Sequence, residues 1–199
     1  MTPHRLTAEQ RRRQILAIAV AVFGRAGYHS TSMNDIAVAA GVTKPVLYQH
    51  FDSKGDLFLA VIDNVGADML TAITKAATDA SDGKSQTMLG FRAYFSWVAA
   101  NQDGFRLLFG GAARHEPEFA QFVRRITSDV ASAIAPLIAV DLDVEQRRLI
   151  AHSLVGLAEG ASRRLIDKEL DFDPDEVADH VSTLAWAGLR ALNPNAERG

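Results

Sequence analysis

Residues 32–51, SMNDIAVAAGVTKPVLYQHF, constrain the fold of this chain more than any other stretch. Met33, Ile36, Ala37 and Ala40 recur at helical spacing, which makes one face of a short helix apolar. Ser32 can cap that helix, with Asp35 three residues on in the place a capping box uses. Gly41 stands where a left-handed C-cap is wanted. Val42 re-enters the core, Thr43 can cap a second helix, and Pro45 falls in its first turn, where a missing N–H costs nothing. That second helix offers only Val46, Leu47 and Phe51 for burial, while Thr43, Lys44, Tyr48, Gln49 and His50 are hydrogen-bonding residues. A helix of two turns is unstable alone, so its neighbours must hold it for display. Helix, glycine turn, helix is the arrangement whose second helix enters a DNA major groove.

Thr31 to Leu57 reads T-S-M-x-x-I-A-x-x-A-G-V, then K-P-x-L-Y-x-H-F-x-S-K-x-x-L, and the pattern extends back through Phe23, Gly27 and Tyr28. On these residues the chain resembles the DNA-binding domain of the TetR family of bacterial repressors. The likeness covers about 50 residues strongly and the remainder only in length and helical character. It implies a three-helix helix-turn-helix domain over residues 1–54 and a helical ligand-binding and dimerisation domain over 55–199.

Charge agrees with such a division. The chain carries −3 overall, but residues 1–60 hold seven Lys/Arg against four Asp/Glu and the rest holds fourteen against twenty. A basic head on an acidic body suggests that one end alone meets phosphate. At 48% hydrophobic residues the chain is globular rather than disordered. The absence of cysteine excludes disulfides and thiolate metal sites. No apolar run of membrane-spanning length and no signal core stands out, so a cytoplasmic protein with no membrane partner is expected.

Elsewhere the pattern is helical throughout, with no β-alternation, so the fold class is all-α. A first helix starts at Thr7, where Thr7 to Gln10 forms a capping box, and stops at Gly27. Ser53 and Asp56 cap a long helix carrying Leu57, Val61, Val65, Met69 and Ile73, about 35 Å long. Leu57 and Phe58 should pack under the reading head. Residues 79–85 read as a loop, 88–101 as a helix, and 105–109 as a short helix after a break at 101–104. Further helices follow before Pro136, over 144–167, and from Pro174 to Leu192.

Thr43, Lys44, Pro45 and Val46 lie at the N-terminal end of the second short helix, the part that meets base edges. A lysine there can donate to guanine, and an apolar side chain can touch a thymine methyl. The resemblance implies that Tyr48, His50 and Lys54 hold the phosphate backbone; the alternative for Tyr48 is a core tyrosine. Thr31 and Ser32 can offer hydroxyl and N–H groups to phosphate. Gln49 either reads adenine or faces solvent. Arg11, Arg12 and Arg13 form either a solvated face or a set of phosphate contacts that gain affinity by releasing counterions.

Eight of the fifteen aromatics fall within residues 91–122. Aromatic stripes are usually core, but the helices here are short and interrupted by Gly104 and Gly110-Gly111, an interior that would leave gaps. The resemblance implies that this region encloses a small apolar effector, with Phe91, Tyr94, Phe95, Val98, Phe105, Phe109, Phe122 and Leu157 as its lining. QDGFRLLF followed by EPEF is similar to members that answer to long-chain fatty acyl groups. Arg92, Arg106 and Arg114 could meet the anionic end of such a ligand or solvate the surface.

In the last two helices Leu154, Leu157 and Ala161, and Val177, Val181, Leu184 and Gly188, form apolar stripes that must be buried within the chain or against a second copy. The family precedent is a four-helix homodimer interface, and a pseudo-palindromic double-stranded DNA operator would match its symmetry. No zincin, hydrolase, P-loop or dinucleotide motif is present, so neither enzyme, cofactor nor metal is expected. His115, Glu116 and Glu118 form the nearest approach to a metal cluster, and His152 reads as a buried helix residue. The expected function is a ligand-responsive transcriptional regulator, a repressor released by its ligand. The alternative is a buffer protein for an apolar metabolite with a vestigial head.

Overall fold

The computed structural model describes residues 6–110, 117–138 and 140–192. Among the described residues every regular element is helical: α1 (Ala8–Ala26), α2 (Met33–Ala39), α3 (Lys44–Tyr48), α4 (Lys54–Thr78), α5 (Gly83–Ala100), α6 (Gln102–Phe109), α7 (Pro117–Ile134), a 3-10 turn (Ala135–Leu137), α8 (Val144–Asp167) and α9 (Pro174–Ala191). The all-α reading therefore holds. Helix ends follow their caps: Thr7 and Gln10 form the expected capping box at α1, and Asp143 with Gln146 forms another at α8.

Two boundaries differ from expectation. α5 begins at Gly83 inside the expected loop, because the Asp82 carboxylate accepts the Ser85 N–H and caps the helix. α6 starts at Gln102, immediately after Asn101 closes α5. At the head of α4 the Ser53 hydroxyl accepts the Asp56 N–H as foreseen, but the Asp56 carboxylate reaches back to the Asp52 N–H instead of Ser53.

The chain forms two compact units. The first comprises residues up to Gly66 together with Asp103–Val123, and the second Ala67–Gln102 with the chain from Arg124 onward. In the first, Phe23 meets Phe58 edge-on at 5.0 Å, and Tyr28 lies 4.8 Å from Phe58. Phe119, grouped by sequence with the body's aromatics, instead packs 4.6 Å from Phe58 and 4.8 Å from Tyr28. Leu57 and Phe58 are fully buried, as expected.

In the second unit α5 packs mainly along α9 and also along α8. The Trp97 indole N–H donates to Asp68 at 2.7 Å, tying α5 to the later turns of α4. A further core gathers Ala131, Ala135, Ile138, Val140, Ala151 and Leu189. His152, expected inside, faces solvent. α4 matches a membrane span in length and composition, yet Leu57, Phe58, Val61, Ile62, Val65, Met69, Ile73 and Ala77 are buried within the protein. That is the pattern of a core helix.

Candidate nucleic-acid interface

α2 ends in a Schellman motif that sets the angle of the next helix. Gly41 adopts φ +63°, its N–H donates to Val38 O, and the Val42 N–H donates to Ala37 O at 3.0 Å. A side chain would be strained there. Leu47 (0% exposed) and Phe51 (1%) then anchor α3. Burying each stabilises by roughly 1.5–3 kcal/mol, which offsets the poor intrinsic stability of a five-residue helix.

The other residues of α3 and its two ends are open to solvent in whole or in part. Thr43, Lys44, Pro45, Tyr48 and Gln49 are exposed, and Val46 and His50 are half-buried. Tyr48 at 43% exposure is no core tyrosine. Thr43 is the N-cap residue, but its hydroxyl makes no capping hydrogen bond, contrary to the sequence reading. Lys44 Nζ sits 5.9 Å from the Tyr48 ring centroid, so the cation and the phenol share one face.

Around this face the other expected DNA residues divide. Ser32 is exposed and completes the capping box with Asp35: its hydroxyl donates to the carboxylate at 2.7 Å and accepts the Asp35 N–H. The hydroxyl bond and a second one from the Ser32 backbone N–H to the same carboxylate at 2.9 Å lower the Asp35 pKa from its ordinary value. Thr31 is a correction: it is buried, and its hydroxyl donates to Gly27 O at 2.8 Å, leaving it nothing to offer a phosphate. Lys54 donates to Tyr28 O at 2.9 Å and Thr31 O at 3.0 Å, with Nζ 4.3 Å over the Tyr28 ring. Two of its three N–H groups are thus committed to the α1–α2 connection.

The arginine run also divides. Arg11 donates to Gln14 at 2.6 Å, and Arg13 pairs with Glu9. Arg12 turns inward to His50 and Phe51. Sequence periodicity carried that signal, since 12, 15, 16, 19 and 23 share one face and the last four are buried.

The residues expected around an effector fall in different units. Phe91, Tyr94, Phe95 and Val98 are buried on α5 in the second unit, with Phe91 and Phe95 stacked at 6.3 Å and Tyr94 edge-on to Phe95 at 5.2 Å. Leu157 is half-buried in the same unit. Phe105 and Phe109, 4.9 Å apart, belong to the first unit, as does Phe122. Burial pushes the Tyr94 phenol well up, tempered by neighbouring Ser162 and reinforced by the charge of Glu159. The Tyr94 and Ser162 hydroxyls are buried close to each other, and neither makes a hydrogen bond of ordinary geometry. Arg92 is held by Asp175 at 3.0 Å and Asp179 at 3.4 Å, and Arg106 by Asp103 at 3.3 Å. Arg114, His115, Glu116 and the side chain of Glu118 lie outside the described residues.

Of the stripes on α8 and α9, Leu154 packs against the chain's own core, and Leu157, Ala161, Val177 and Val181 are half-buried. Leu184 is 65% exposed and Gly188 is exposed beside it. Leu149 at 66% exposure was not foreseen; it shares a face with exposed Gly156 and Gly160, seven and eleven residues on.

Residues 15–61 match the family of bacterial regulatory proteins described as tetR, and residues 84–188 match the tetracyclin repressor-like C-terminal domain. The chain belongs to the TetR family. It is similar to the transcriptional activator FasR of Mycolicibacterium smegmatis, with 33% identity over 94% of this chain and 86% of that protein. A TetR-like transcriptional regulator from Rhodococcus sp. RHA1 superposes with a TM-score of 0.75 at 30% identity, over 94% of this chain and 99% of that one. The fold is shared with FadR of Bacillus subtilis, solved with stearoyl-CoA, at a TM-score of 0.77 and 19% identity over 88% and 98% of the two chains. This TetR-family chain is therefore a DNA-binding transcriptional regulator and not an enzyme.

Proposed function

We propose that this regulator acts in the cytoplasm as a homodimer that holds a pseudo-palindromic operator and changes its grip when an apolar, acyl-chain ligand binds. The observation that carries the DNA half is the division of α3: Leu47 is buried while Thr43, Lys44, Tyr48 and Gln49 all face outward. Lys44 and Val46 would meet base edges, with Thr43 and Pro45 beside them, and Tyr48, His50 and Ser32 would meet phosphate. One short helix reads only part of a helical turn, so two heads related by a two-fold axis raise affinity and set the half-site spacing.

The ligand half rests on the stacked aromatics of α5 and the two unsatisfied hydroxyls beside them. Such an apolar interior with a few polar groups suits a fatty acyl compound, in line with FadR, which shares this fold and was solved with stearoyl-CoA. Ligand shifts DNA affinity only through its unequal binding to two conformations. In this proposal ligand lowers operator affinity and relieves repression. FasR, by its name, is an activator; blocking or recruiting polymerase depends on where the operator lies, so the two outcomes use one binding equilibrium.

The test is selection of bound duplexes from fragmented genomic DNA, followed by titration of the complex with acyl-CoA esters of increasing chain length. A recurring inverted repeat that is released by long chains is the expected result. Binding without sequence preference would overturn the operator reading, and an operator complex indifferent to every acyl ligand would overturn the switch.

A further inference from the structure

We infer that Arg12 is a positioning residue that clamps the C-terminal end of the recognition helix to α1, rather than a phosphate contact. The inference rests on the DNA-binding role proposed above. Arg12 Nη1 donates to the His50 carbonyl at 2.6 Å, across 38 residues of chain, and its guanidinium lies 4.3 Å over the Phe51 ring. Both partners lie just past α3, two and three residues after Tyr48. The Phe51 N–H donates to Leu47 O of α3 at 3.1 Å, and the His50 carbonyl just before it receives its donor from Arg12. Phe51 is 1% exposed, so the ring under the guanidinium is a fixed platform.

The planar fork of arginine suits this site because it can stack and donate in one pose, which an ammonium does not reproduce. Neither neighbour duplicates the arrangement: Arg11 is bonded to Gln14 and Arg13 to Glu9, both within α1. Arg12 thus joins the first turns of α1 to the segment that closes α3 and fixes how far Lys44 and Tyr48 protrude. A clamp of this kind affects every base contact at once and none of the counterion release.

The experiment compares Arg12→Met, Arg12→Lys and Phe51→Leu with the full-length wild type on the selected duplex and on a scrambled one, across a salt series. With the clamp, Arg12→Met weakens specific binding by about tenfold or more, the scale on which a single side chain discriminates a base. Its scrambled-duplex affinity stays unchanged, and its log K against log salt keeps the wild-type slope. Arg12→Lys gives no rescue, and Phe51→Leu reproduces the loss, with the double variant no worse than the weaker single one. A phosphate contact predicts instead a slope shallower by about 0.9, parallel loss on both duplexes and rescue by lysine. That pattern overturns the proposal. So does a drop in melting temperature with the specificity ratio of the folded protein unchanged, the mark of a purely structural arginine. Should Arg12→Met or Phe51→Leu not fold, the specificity ratio of Arg12→Lys decides alone: it falls if Arg12 is a clamp and keeps its wild-type value if Arg12 contacts phosphate. A wild type without any preferred duplex would fail at the DNA-binding reading itself, before the clamp is tested.

Discussion

Gly24 in α1 faces Asp103 in α6 so closely that a β-carbon on Gly24 would lie 2.6 Å from Asp103 Cβ and 3.0 Å from its Cα. Part of that neighbour is backbone, so neither helix can make room by rotating a side chain. Asp103 is also paired with Arg106 at 3.3 Å and lies 3.6 Å from Arg25. Within the first unit, the end of α1 and the start of α6 are therefore seated on each other. Gly24→Ala is expected to cost about 1–3 kcal/mol through overpacking. Urea unfolding followed by circular dichroism checks this; an unchanged midpoint would mean the two helices part without penalty.

Lys54 braces the α1–α2 connection through the carbonyls of Tyr28 and Thr31. Lys54→Met keeps the aliphatic stem and removes both donors, so the two acceptors lose their partner. The expected loss is about 1–3 kcal/mol, which lowers the melting temperature by several degrees in a protein of this length. Differential scanning calorimetry reads it directly. A variant that melts like wild type would leave phosphate contact as the role for this lysine.

Local chemistry makes the head legible in the sequence. Thr7, Ser32 and Gly41 announce the ends of α1 and α2 by caps that act over three or four residues. The inward turn of Arg12 and Lys54 is equally legible from helical phase, since both lie on buried stripes; their charge points the other way, toward phosphate. The return of α6 and Phe119 to the first unit is not legible, because it joins residues as far apart in the chain as Phe58 and Phe119, or Gly24 and Asp103, through packing that no local pattern encodes. Asp82 hides the start of α5 for a different reason: flanking serines and glycine read as a loop, while an aspartate followed three residues on by Ser85 is also an N-cap.

Tyr94 is held neutral by burial first, with Ser162 moderating and Glu159 adding to the effect. Its folded value is raised above the ordinary 10.0, so its contribution to stability is complete below pH 10 and is lost as pH rises beyond it, where the unfolded chain releases the proton and the folded chain does not. Tyr94→Phe should flatten the alkaline decline of the melting temperature above pH 10. At pH 7 it should change stability by less than about 1 kcal/mol, because the hydroxyl has no well-formed hydrogen bond to lose. Thermal melts across pH 7–11 test both statements, and an equally steep decline in the variant would refute the first.

Leu184 on α9 and Leu149 on α8 each leave about two thirds of their surface in solvent, Leu184 one turn from the exposed Gly188, and Leu149 on the same face as the exposed Gly156 and Gly160. Single exposed leucines are ordinary. Bulky apolar side chains next to glycines that carry no β-carbon instead leave a surface on which another helix can approach closely. In the homodimer proposed above, Leu184→Glu buries two charges in an apolar interface, since an isologous interface contains the same patch twice. Sedimentation velocity should then show a monomer whose helical signal matches wild type. Operator affinity should fall by orders of magnitude as two linked heads become two independent ones, while binding to a scrambled duplex changes little. A Leu184→Glu protein that remains dimeric would move the interface away from this face of α9.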